Sequence, residues 1–138
     1  MELDRIDLDI IDMLKEDAVL SRREIGRRVH LTGQAVGMRI GRLMEEGVIQ
    51  GFTVRLDGEK LGIRTVAFVK VYMKTHDHGQ VLELIGSDSG ITEAHRVSSD
   101  ACYLLKVEVP GMEDLNALLG RVSGFANYQL LVSVQRVK

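Results

Sequence analysis

The sequence predicts an α+β chain of two small domains, a tri-helical unit followed by a four-stranded antiparallel sheet carrying two helices. Three observations predict it. Apolar residues recur at helical spacing behind capping signals up to Gly47, the pattern changes to strand-like runs after residue 56, and charge is sorted by segment. The 138 residues are 45% hydrophobic and 28% charged, the mix of a folded soluble chain rather than a disordered one. No apolar run approaches the ~20 residues needed to cross a bilayer, so no membrane partner is expected. The acidic start Met1-Glu2-Leu3-Asp4 lacks the layout of a secretory signal, and the cytoplasm is the expected compartment.

The first helix is read from Leu3, Ile6, Ile10 and Leu14, widened by Ile11, with Asp4 as its cap. Ser21-Arg22-Arg23-Glu24 reads as a capping box in which Ser21 and Glu24 satisfy each other's backbone donors. Leu20 and Ile25 form the accompanying hydrophobic staple, and this second helix stops near His30-Leu31. Thr32 caps a third helix whose buried face carries Val36, Ile40 and Leu43, and Gly47 ends it. Val48 to Leu56 then reads as a strand. Two short helices joined by a tight turn, followed by that strand, form a winged helix-turn-helix over residues 1–56.

Residues 57–62 are expected to be a hinge. Beyond it, Arg64–Met73 is β-rich, Gly79–Ile85 is helical, and Ile91–Ser98 alternates as a strand. Ala101–Val109 is a further strand closed by Pro110-Gly111, Met112–Val122 is helical, and Leu130–Val137 is the last strand. This β-α-β-β-α-β order is the ferredoxin-like arrangement, assigned to residues 63–138. Its two helices cover one face of the sheet. Each half is small enough for a single core to be marginal, so sheet-to-sheet dimerisation is expected.

Charge points to the partner of the first domain. Residues 2–17 hold seven acids against two bases, whereas residues 20–44 hold six arginines against Glu24 alone. A planar guanidinium suits phosphates and guanine edges better than an ammonium does. Arg22 and Arg23, near the start of the second helix, are expected to hold phosphates of double-stranded DNA. The third helix is expected in the major groove, presenting Gln34, Met38, Arg39 and Arg42, with Arg39 on a guanine edge. Gly37 and Gly41 each cost about 1 kcal/mol relative to alanine in a helix interior. They admit two readings, close approach of the backbone to DNA or tight packing and drift.

Several motifs across both halves resemble one family. They are Leu3-Asp4 through Asp7, Ile10-Ile11 and Leu14; Leu20-Ser21 with Glu24-Ile25-Gly26; Val36 through Arg39-Ile40 and Arg42-Leu43 to Gly47-Val48-Ile49; and Tyr103-Leu104-Leu105-Lys106. Together they resemble the Lrp/AsnC (feast/famine) family of prokaryotic transcription regulators. The resemblance implies homodimers that assemble to tetramers or octamers, and a small effector, commonly an amino acid, at crevices between dimers. It implies an effector site at the turn of Ser98, Ser99, Asp100, Ala101, Cys102 and Tyr103. Here the sequence departs from the family, which has glycine at Ser99 and an acidic residue at Cys102. The carboxylate expected to hold an effector's ammonium is absent, with Asp100 the nearest substitute, so weak or absent amino-acid binding is expected. Met44 replaces a family glutamate and Gly33 a common proline.

Other classes fare less well. His76-Asp77-His78, with His30 and His95 elsewhere, lacks the spacing of a zinc set, so no metal is expected. Cys102 is read as a small buried strand residue rather than a nucleophile. No catalytic residues and no cofactor are expected. Two alternatives stand beside a sensing regulator: an effector-independent architectural protein that bends DNA, and an enzyme like the sirohaem decarboxylases, which the basic recognition face disfavours.

Overall fold

A complete capping box starts the first helix, α1 (Arg5–Glu16), in the computed structural model, which describes residues 2–138. The Asp4 carboxylate accepts from the Asp7 N–H at 2.8 Å, and the Asp7 carboxylate accepts from the Asp4 N–H at 3.2 Å. Helix α2 (Arg22–Val29) starts differently from expectation. Ser21 Oγ accepts from the Glu24 N–H at 3.1 Å, but the Glu24 carboxylate does not return to the cap. It accepts instead from Arg27 at 2.8 and 3.0 Å and from Arg28 at 3.1 Å. Two charged donors outcompete one backbone amide, so only half of the predicted box forms.

The turn into α3 (Gly33–Glu45) passes through His30, whose φ of 59° is left-handed. A Cβ on Gly26 would come within 2.3 Å of the Leu31 carbonyl oxygen, so glycine is what lets this turn close over α2. Thr32 caps α3 through the Ala35 N–H, and Gly47 (φ 72°) follows its end, as the sequence predicts. Ile10, Ile25, Val36 and Ile40 form the shared core, with Leu20 and Val29 packed against it. Full burial of each such aliphatic side chain stabilises by roughly 1.5–3 kcal/mol.

The predicted strand Val48–Leu56 is not present. The segment has no ladder hydrogen bonds and leaves Phe52 and Val54 exposed. A strand needs a neighbour to accept its N–H and C=O groups, and no second extended segment lies in this unit among the described residues. The chain divides between Arg55 and Leu56 into two compact units, and Glu59–Leu61 forms one 3-10 turn at the start of the second.

The second unit contains β1 (Thr65–Met73), α4 (Gly79–Ser87), β2 (Ile91–Arg96), β3 (Tyr103–Val109), α5 (Met112–Ser123) and β4 (Ala126–Val132). The antiparallel sheet has the order β2-β3-β1-β4, as the β-α-β-β-α-β reading requires. Ala67, Val69, Val71, Leu105 and Val107 face α4 and α5 and are buried with Leu115, Leu118 and Val122. Two local readings need correction. A bulge between Ile91 and Glu93 breaks the alternation of β2, so Ile91 and Ala94 both pack on the core. The last strand begins four residues before Leu130, because Ala126 already pairs with Met73. It ends at Val132, opposite Ala67, close to where β1 itself begins, and Val134 and Val137 are left exposed.

Candidate functional site

The six arginines of residues 20–44 divide into three pairs. Arg27 and Arg28 flank Glu24 and hold its carboxyl down at about 2, well below the ordinary 4.5. Arg39 and Arg42 reach across to α1. Arg39 Nη1 lies 2.7 Å from Asp4 Oδ2 and 2.8 Å from Asp7 Oδ1, and Arg42 Nη2 lies 2.7 Å from Asp7 Oδ2. Asp7 is completely buried, and these donors with the Asp4 amide satisfy both of its oxygens. The Asp7 amide and then the Arg39 guanidinium hold the Asp4 carboxyl below its usual range. Arg22 and Arg23 have no carboxylate partner among the described residues.

This separation was not visible in the charge count. Asp4 and Asp7 read as acids suited to a helix start, yet they also fasten α3 to α1. The available signal was Asp7's position three residues before Ile10, at the edge of the buried stripe. On the outer side of α3, Gln34 and Met38 are exposed, Met38 at 73%. A Cβ on Gly37 would crowd the Arg22 side chain, whereas one on Gly41 would meet nothing within 4 Å. Gly33 lies against the backbone of Arg22 and Arg23, where α2 and α3 meet closely.

In the second unit, the turn from Ser98 to Tyr103 is tied to β1. Asp100 accepts from Lys70 Nζ and from the Tyr72 hydroxyl, each at 3.1 Å, and from Ser99 Oγ at 3.0 Å. Lys70, then Ser99 and Tyr72, draw its carboxyl down to about 2. The Ala101 N–H donates to Ser99 Oγ and to Asp100 Oδ1. Ala101 and Tyr103 are buried, Ser98, Ser99 and Asp100 are exposed, and Cys102 is half-buried against the core. Tyr103 Oη lies 2.6 Å from Nδ1 of His78, a histidine that the sequence presented only as a metal candidate. The described residues contain no cluster of three or more potential metal ligands.

Residues 3–50 match the model of the winged helix-turn-helix DNA-binding family, and residues 66–138 match the Lrp/AsnC ligand binding domain. The chain belongs to the Lrp/AsnC family. It is 43% identical to the HTH-type transcriptional regulator LrpB of Bacillus subtilis, over all of this chain and 93% of that protein. It is 33% identical to the Leucine-responsive regulatory protein of Escherichia coli, over 99% of this chain and 88% of that protein. The solved structure of B. subtilis LrpC superposes with a TM-score of 0.93 at 31% identity, covering 100% of this chain and 99% of that one. Like these relatives, the protein is a DNA-binding regulator with a ligand-binding domain. Within the Lrp/AsnC frame, the first unit is the DNA-binding module and the second is the ligand module. No helix of the described residues is long and apolar enough to cross a membrane.

Proposed function

We propose that the protein regulates transcription as a homodimer that reads DNA through the outer face of α3 and the start of α2. The observation that carries this reading is the pairing of the arginines. Arg22 and Arg23 are the two of the six that no carboxylate neutralises, and they stand where α2 begins, beside the exposed Gln34 and Met38. Arg39 is held in place chiefly by α1, while Arg42, half-exposed, keeps part of its guanidinium outward. The test uses a duplex enriched by the protein from a random-sequence library. Joint replacement of Arg22, Arg23, Gln34 and Met38 by alanine should abolish its selective binding without lowering the melting temperature. Unchanged selectivity in that variant refutes the assignment.

The dimer is proposed to form through the open sheet face. Phe68 and its cross-strand neighbour Leu131 are 37% and 46% exposed on the side away from α4 and α5. On β3, Lys106 stands opposite Phe68 and Leu104 stands opposite Lys70. Joint Phe68→Lys and Leu131→Lys substitution should yield a monomer in sedimentation. At the effector turn, the one nearby carboxylate already holds an ammonium, that of Lys70. Ordinary amino acids are therefore proposed not to bind there through their ammonium group. A saturable melting shift with any amino acid, lost on Asp100→Asn, would count against this.

A further inference from the structure

The geometry points to Arg22 as part of the sequence-reading surface, seated there by Gly37. Arg22 belongs to α2, where the ordinary role of an arginine is to grip a phosphate. Its side chain, however, lies over α3. A Cβ added to Gly37 would stand 2.8 Å from Arg22 Nη1 and 3.3 Å from both Cδ and Cζ. The flat guanidinium therefore rests directly on the bare backbone of the recognition helix. Gly37 lies one turn beyond Gln34 and adjoins Met38, both exposed residues. Arg22 thus adds to α3 a five-donor fork that no carboxylate engages, whereas Arg39 is held by Asp4 and Asp7 and Arg42 by Asp7.

Three contrasts support this assignment. Glycine is unfavourable within a helix, and at residue 37 the close approach of Arg22 supplies a local reason for it. Gly33 has a different one, because a Cβ there would meet the α2 backbone rather than a side chain. Gly41 has no neighbour to accommodate at all. Arg22 also lacks any carboxylate that would draw its charge away from DNA. A methyl group at residue 37 would leave the helix intact, since the obstructed atoms belong to a flexible side chain. It would displace the guanidinium.

This inference rests on the proposed DNA-facing role of α3, and the experiment separates the two. Affinities are measured for the enriched duplex and for a random-sequence duplex with four proteins: wild type, Arg22→Ala, Gly37→Ala and the double variant. We expect Arg22→Ala to lose roughly tenfold on the enriched duplex and much less on the random one, as a base-edge contact does. Gly37→Ala should reproduce that loss while melting at or above the wild-type temperature. The double variant should be no worse than Arg22→Ala alone. Equal losses on both duplexes for Arg22→Ala would reduce Arg22 to a phosphate grip and overturn the inference while leaving the DNA reading intact. No loss on either duplex would remove Arg22 from the interface altogether. Wild-type behaviour of Gly37→Ala, or a full additional loss in the double variant, would show that Gly37 does not act through Arg22.

Discussion

Asp7 in the first unit and Asp100 in the second are each surrounded by cationic and hydroxyl or amide donors, and the two clusters differ in burial. Asp7 is completely buried between α1 and α3, with Arg39 and Arg42 closing over it. Asp100 is 66% exposed at its side chain and gathers Lys70, Tyr72 and Ser99 at the surface of a turn. The chemistry is similar, but its consequences are not. A buried carboxylate stripped of its partners, or partners stripped of their carboxylate, leaves groups that water cannot easily reach. An exposed pair exchanges its partner for solvent at little cost. The first cluster therefore fastens α3 to α1, and the second ties the turn of Ser98 to Tyr103 to β1.

Breaking the buried cluster at its centre should give the largest effect. Asp7→Ala is expected to destabilise the first unit by about 3 kcal/mol, the low end for a buried pair because both guanidiniums can turn to water. Urea unfolding followed by helical circular dichroism checks this. Arg39→Ala should follow at about 1.5–2 kcal/mol, since Asp7 keeps Arg42 but loses one charged hydrogen bond. Its effect on DNA affinity per folded molecule should be smaller than its effect on stability. Tyr103→Phe should cost about 1 kcal/mol through loss of the buried hydroxyl's bond to His78. Asp100→Asn should lower the unfolding midpoint at pH 7 the least of the four, because solvent readily replaces its partners.

Acidity sharpens the same contrast. Asp100 titrates near 2 in the fold against an ordinary 3.8, so its contribution is complete above about 4 and disappears as pH falls toward 2. The Asp4 carboxyl is lowered in the same sense. Neither group gives a slope between pH 5 and 8.

The two levels of this structure were unequally legible. Helix starts were readable because caps are local: Asp4, Ser21 and Thr32 each act on an amide three residues away. The sheet order followed from strand count and turn positions. Pairings between distant residues were not readable, since Asp7 lies 32 residues from Arg39 and 35 from Arg42. The same limit explains the last strand, whose span depends on where β1 offers partners, and the missing strand after Gly47. Local pattern says that a segment can be extended, not that a neighbour exists. At the turn of Ser98 to Tyr103, Cys102 stood where the family resemblance calls for an acid, but the occupation of Asp100 by Lys70 required the register of β1 against β3.

Internal pairing of the arginines also determines how the protein behaves toward DNA that is not its target. Each phosphate neutralised on a duplex releases condensed cations, and the logarithm of affinity falls with the logarithm of salt by about 0.9 per phosphate. Were all six arginines of each copy free, a dimer would carry a slope near −11 from these residues. With Arg27, Arg28, Arg39 and Arg42 paired, and with Arg22 turned to base edges as proposed, Arg23 alone is left for a phosphate and the figure falls to about −1.8. On the proposed reading, Asp4, Asp7 and Glu24 thus weaken the grip of the helix-turn-helix on arbitrary sequence. Time on the chromosome would then be decided by the proposed match between α3 and the bases it meets.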